Sequence, residues 1–203
     1  MSLFLTQYQA IFLHIPKCAG QSIGKSFSIK HNHRHHKLND LPEDLDNYLR
    51  FTFIRHPVSR FISAHNYNKL LAYKTIRAIE AMPSALLSPA KQFRLNLIKT
   101  NPDINNVVDD LCLGKMKKIL FFKPQSNWIL RGKPQFVGRV ENIEDDFEKL
   151  RSLLGFKNKL VHTNTSKSLL SETEITKHNL QRLIDYYEAD FKLTGYTKSW
   201  PNS

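Results

Sequence analysis

Two short apolar runs, each halted at a proline and each followed by a helical pattern, set the strongest limit on what this chain can fold into. Gln9–Ile15 (QAIFLHI) stops at Pro16, and Arg50–Ile54 (RFTFI) stops short of Pro57. Apolar runs of this length, rich in β-branched and aromatic residues, read as buried strands. Proline ends them because it lacks an N–H and biases the residue before it. After the first run, the loop Lys17–Gln21 leads into a helical spacing over about Ser22–Ile29, with Ile23 and Phe27 four apart. After the second, Pro57–Tyr73 places Val58, Phe61, Ile62 and His65 on one helical face. Strand–loop–helix repeated twice is the pattern of an α/β fold, and the connection is long enough for a right-handed crossover between parallel strands. Ligands in such sheets sit at the carboxyl ends of the strands. There the first run is followed by Lys17 and the second by Arg55.

The rest of the chain fits around this unit. Pro42–Leu49 reads as a short helix with proline in its first turn. Lys74–Leu113 reads as helices punctuated by Pro83, Pro89 and Pro102, Gln135–Val140 as a strand, and Ile143–Leu154 as an amphipathic helix closed by Gly155. Leu160–His162 reads as a brief strand, and Ser171 with Glu174 as a capping box opening a long helix to about Lys192. No internal repeat or linker interrupts the pattern. The expectation is a single α/β domain over residues 1–203, with a P-loop-like central parallel sheet flanked by helices and a helical insertion at about 74–113.

Composition narrows the function classes. With 41% hydrophobic and 24% charged residues the chain is globular rather than disordered. The longest apolar runs, such as Ala10–Leu13 and Ile119–Phe122, are too short to span a bilayer, and without a charged segment followed by an apolar one at the start no secretory signal is expected. Two cysteines cannot make a disulfide framework, so a reducing, cytoplasmic compartment is expected. Thirty Lys and Arg against eighteen Asp and Glu give a net charge of +12, which calls for an anionic partner. Nucleic acid, a membrane surface, a nucleotide and an acidic glycan all satisfy charge alone.

The loop after the first run discriminates further. It holds Gly20 and Gly24, two of only seven glycines. A small-residue loop entering a helix aims several backbone N–H groups at one point, where a phosphate can sit. Lys17 adds a full charge and Ser22 a hydroxyl. Gly20–Ser26 (GQSIGKS) approaches a Walker A motif, but it has three residues between the glycines where that motif has four. After the second run, Arg60 and Ser63 lie three apart on a helix that Arg55 precedes. Arg55 and Ser63 are expected to bind a second phosphate, and Arg60 to be a solvated helix residue or one half of a structural ion pair.

These segments resemble a known family. HIPKCAGQSI (His14–Ile23) resembles the 5′-phosphosulfate-binding loop of sulfotransferases that use 3′-phosphoadenosine 5′-phosphosulfate (PAPS), and FTFIRHPVSRFISAH (Phe51–His65) resembles their 3′-phosphate-binding segment. KPQSNWI (Lys123–Ile129), FVGRVENIEDDF (Phe136–Phe147), HTNTSK (His162–Lys167) and YYEADFKLTGY (Tyr186–Tyr196) are similar to the same family, in the same order. The likeness is greatest to the carbohydrate branch, which includes heparan and chondroitin sulfotransferases and bacterial relatives. It is weakest from Lys74 to Leu113. Where the family usually has threonine this loop has Gln21, which removes one hydroxyl donor but keeps the N–H.

The resemblance implies roles. Lys17 would hold the 5′-phosphosulfate and neutralise the leaving oxygen, with Gly20, Gln21 and Ser22 as further donors. Arg55 and Ser63 would bind the 3′-phosphate, with Arg139 and Lys167 as additional cofactor contacts. The acceptor would be a hydroxyl, expected on a carbohydrate, with no nucleic acid as partner and no metal required. Four histidines, His31, His33, His35 and His36, precede the second run. Neither CxxC nor HExxH accompanies them to support a metal site. The family pattern asks for a general base here, and register with Leu41 and Pro42 selects His35, with His36 in reserve and His33 as the further neighbour to be compared with them. A nucleotide kinase or NTPase, and a non-enzymatic nucleic-acid binder, are the alternative readings.

Overall fold

A computed structural model describes residues 2–28, 47–163 and 175–199. In chain order the elements are β1 (Ser2–Leu5), β2 (Ala10–Leu13), α1 (Gly20–Ser26), β3 (Leu49–Ile54), α2 (Pro57–Glu80), α3 (Pro89–Lys99), α4 (Ile104–Cys112), α5 (Ser126–Gly132), β4 (Phe136–Arg139), α6 (Ile143–Leu153), α7 (Lys177–Tyr186) and α8 (Glu188–Thr194). The chain divides into two compact units, one formed by Met1–His56 with Gln125–Thr165 and the other by Pro57–Pro124 with Ser166–Ser203.

The first unit is mixed α/β. Its sheet runs in the order β1-β2-β3-β4. β2 and β3 pair in parallel from Ala10 opposite Leu49, and β3 and β4 in parallel from Phe51 opposite Phe136 to Ile54 opposite Arg139. The expected parallel pairing of the first two runs is therefore present. An antiparallel strand the sequence reading did not anticipate, β1, pairs Ser2 with Leu13 and Leu5 with Ala10. Four residues are too few to show a period. Aromatic rings fill the core. Phe12 of β2 stacks on Phe51 of β3 at 5.1 Å, and Phe27, just after α1, stacks on Phe156 at 4.3 Å. Phe147 of α6 meets Phe27 edge-on at 5.9 Å. Ile23 and Phe27 are both buried, as their four-residue spacing requires.

The expected strand at Leu160–His162 is absent. The N–H of Val161 bonds instead to Ser26 Oγ (2.8 Å), and that of Thr163 to Ser22 Oγ (3.2 Å). Hydroxyls of α1, rather than a neighbouring strand, satisfy this backbone.

The second unit is helical. α2 runs seven residues beyond the expected Tyr73, because nothing breaks it before Pro83. Each proline at 83, 89 and 102 stands outside a helix interior, and Pro89 occupies the first turn of α3 behind the Ser88 cap. Val58, Phe61, Leu97, Val108, Leu111, Phe122, Leu183 and Tyr187 belong to one buried cluster. The single long helix expected to Lys192 is two helices. They meet at Tyr187, which is fully buried and donates its hydroxyl to the Phe122 carbonyl at 2.9 Å. The cap of α7 is Thr176, which accepts from the Asn179 N–H. Ser171 and Glu174, the expected capping box, lie outside the described residues, as does most of the expected helix Pro42–Leu49.

Candidate active site

Because β2, β3 and β4 are parallel neighbours, their carboxyl ends lie side by side. Each leads into a basic residue. β2 is followed by the loop carrying Lys17, β3 by Arg55, and β4 ends on Arg139.

The loop after β2 is held in an uncommon shape. Lys17 (φ 71°) and Ala19 (φ 56°) both adopt the left-handed conformation. For residues with a Cβ this costs on the order of 1–2 kcal/mol each. Such strain concentrates at functional sites. The Cys18 N–H closes the turn on the Ile15 carbonyl at 3.3 Å. Gly20 opens α1 against the imidazole of His14. A Cβ at this position would stand 2.0 Å from His14 Nε2, so any larger residue requires the imidazole to move.

Lys17 is half-buried. Burial first, and the nearby Arg55 guanidinium second, pull its pKa down from 10.5 to about 8, against a smaller opposing effect of Cys18. Two cations held this close in a partly desolvated place favour an anion between or beside them.

The turn after β3 is gripped from two sides. Gln125, fully buried, accepts the Arg55 N–H at Oε1 (3.0 Å) and donates from Nε2 to the Arg55 carbonyl (2.8 Å). Its Oε1 also accepts from Cys18 Sγ at 3.2 Å. The next residue, His56, gives its N–H to Glu141 Oε1 at 2.7 Å. Gln125 and Glu141 lie within the family-like segments Lys123–Ile129 and Phe136–Phe147, whose likeness implies a role for neither. The available signal was a polar side chain inside each family-like motif.

The remaining expected site residues fall as follows. Gln21 is exposed on the first turn of α1. Ser22 is buried, and its hydroxyl is engaged with Thr163 at the Oγ1 (3.2 Å) and the main chain. Arg139 is exposed, with its N–H bonded to Asp146 Oδ2 at 2.8 Å. Ser63 belongs to the second unit, half-buried on α2. Arg60, also on α2, is fully buried rather than solvated. Its guanidinium donates to the carbonyls of Phe121 (3.2 Å) and Lys123 (2.5 Å) and stands 5.7 Å from the Tyr187 ring centre, a structural role. His35, with His31, His33 and His36, and Lys167 lie outside the described residues.

Among the described residues, no helix is long and apolar enough to cross a membrane. No curated protein and no solved structure matches the chain. A family model described as Sulfotransferase family matches residues 2–197. That match runs through all three basic strand ends and both compact units, and on it the chain belongs to the sulfotransferase family, whose chemistry is sulfuryl transfer.

Proposed function

We propose that the chain moves a sulfuryl group from PAPS to a hydroxyl on a carbohydrate acceptor. The observation that carries this reading is the pair Lys17 and Arg55, seated at the carboxyl ends of adjacent parallel strands, where burial first and the Arg55 charge second lower the lysine pKa. PAPS has one anionic group at each end of its ribose, and two cations on neighbouring strands suit such a donor. Arg55, with Ser63, takes the 3′-phosphate, and Arg139 and Lys167 add contacts. Lys17 takes the 5′-phosphosulfate, with main-chain donors of Gly20, Gln21 and Ser22.

In the reaction the acceptor oxygen attacks sulfur in line with the bond to the bridging oxygen. The new S–O bond forms as the bridging S–O bond breaks, and the electron pair leaves on the phosphate. Lys17 stabilises that developing charge. His35 takes the acceptor proton. Neither Cys18 nor Cys112 is in a disulfide, which suits a reducing, cytoplasmic setting.

The test is a calorimetric panel of PAP (the desulfated product), ADP and ATP, each with and without Mg²⁺. PAP should bind without Mg²⁺ and more tightly than ADP, and Arg55→Ala should weaken it by about 1.5–3 kcal/mol, the scale of a lost charged hydrogen bond. A strict Mg²⁺ requirement, or equal binding of ADP, would favour a nucleotide kinase or NTPase instead. His35→Ala should keep PAP affinity while turnover falls roughly 10²–10⁴-fold. Turnover near wild type would remove the histidine from the mechanism.

A further inference from the structure

We propose that Gln125 is a positioning residue that sets the distance and aim of Lys17 and Arg55, a role that rests on the reading of these two cations as the donor site. One carboxamide, fully buried, ties two separate segments together. On the β3 side it satisfies both main-chain groups of Arg55, the N–H at 3.0 Å and the carbonyl at 2.8 Å. On the β2 side it accepts from Cys18 Sγ at 3.2 Å, one residue after the left-handed Lys17.

The chemistry explains why glutamine suits this position. Lys17 and Arg55 repel each other, so their approach has to be held by something else. A carboxylate could hold the Arg55 N–H, but it has no donor for the Arg55 carbonyl. It would also place a negative charge beside the two cations, in competition with an incoming anion. A carboxamide offers one acceptor and one donor with no net charge. Gln125 thus fixes the geometry of a positive site without neutralising it. Cys18 then serves as a weak donor in this junction, its thiol buried with the carboxamide.

The experiment uses the full chain with Gln125→Met, of similar length but without donor or acceptor, and Gln125→Glu. Two readouts apply. The first is the PAP dissociation constant by calorimetry. The second is the pH profile of Lys17 acylation, followed by mass spectrometry in the absence of ligand. In wild type that profile should turn over near pH 8. In Gln125→Met it should move to higher pH by the part of the shift that the Arg55 charge supplies, burial supplying the rest, and PAP should bind at least about tenfold more weakly. Gln125→Glu should bind PAP poorly at pH 8 and recover towards wild type as the pH falls and its carboxyl takes a proton, because a carboxylic acid has the same one-donor, one-acceptor pattern.

Wild-type protein that does not bind PAP would overturn the donor reading, while the Lys17 profile would still decide the positioning role. Wild type that binds PAP, with Gln125→Met binding equally well and an unmoved lysine profile, would overturn the proposal. Should Gln125→Met fail to fold, the glutamate variant decides, and an absence of recovery at low pH counts against it.

Discussion

His65 makes the second unit sensitive to acid. Its position on α2 follows Val58, Phe61 and Ile62 at helical spacing, so the sequence pattern turns an imidazole towards the same side as three apolar residues. It is 1% exposed. Among the described residues neither ring nitrogen finds a hydrogen bond of good geometry. Burial pushes its pKa from 6.5 down to about 4, against an opposing effect of the Asn66 side chain and with a smaller push in the same direction from Lys69. The folded protein therefore holds this histidine neutral where the unfolded chain would protonate it. Above pH 6.5 both states are neutral and stability is unaffected. Between pH 6.5 and about 4 the unfolded state gains a proton that the folded state refuses, so stability falls as pH falls. At 1.36 kcal/mol per pH unit the full loss is about 3 kcal/mol, reached near pH 4.

That is a large share of the 5–15 kcal/mol that typically holds a domain together. The assay is urea unfolding at pH 7.0, 6.0, 5.0 and 4.5, for wild type and His65→Phe. Other groups titrate over the same range, and any fixed packing cost of the larger phenyl ring is independent of pH. Both drop out of the difference between the two proteins. The variant should gain on wild type by about 2 kcal/mol or more between pH 7 and pH 4.5. A difference that does not change with pH would refute the argument, and would mean that a partner stabilises the charged ring.

Three further outcomes are expected. PAP affinity should hold steady up to about pH 8 and then fall, by at most tenfold per pH unit, because Lys17 with its pKa near 8 loses the proton the anion needs; Lys17→Arg should abolish that break, and a flat wild-type profile would disprove it. Gly20→Ala should cost about 1–3 kcal/mol in urea unfolding, since its methyl must displace the His14 ring, and His14→Ala in the same protein should recover part of that; additive costs would show that the two do not meet. Tyr187→Phe should cost about 1–3 kcal/mol, measured the same way, because the Phe122 carbonyl loses its hydroxyl donor at 2.9 Å in a buried place; an unchanged midpoint would show that the carbonyl finds another donor.

Much of the first unit was legible in the sequence because its signals are local. Apolar runs halted by prolines gave β2 and β3, and the four-residue spacing of Ile23 and Phe27 gave the buried face of α1. Gly20 could be singled out as unusual, although its reason, the imidazole of His14 beside it, depends on a contact across six residues. Where a backbone partner comes from far along the chain, local pattern does not show it. Leu160–His162 looks like a strand by composition, yet Ser26 Oγ, 135 positions away, takes the Val161 N–H. Tyr187 looks like a helix interior, yet the demand of its hydroxyl for the Phe122 carbonyl accompanies a break between α7 and α8.

The same distinction separates the two kinds of residue at the candidate site. Lys17 and Arg55 announce themselves because a full charge immediately after an apolar strand is locally anomalous, and the sheet order then makes neighbours of them. Gln125 carries no such mark. A glutamine after a proline is ordinary, and its importance comes from lying 70 residues from Arg55 and 107 from Cys18 while touching both. Charged groups that meet a ligand can be read from composition and position, because the ligand needs their charge wherever the chain goes. Neutral groups that hold those charges in place satisfy backbone atoms, and every residue has the same backbone atoms to satisfy. The polar residues in family-like motifs that bear no charge, Gln125 first among them, are accordingly where positioning has to be sought, and their substitution should disturb the geometry of the cations before it disturbs the fold.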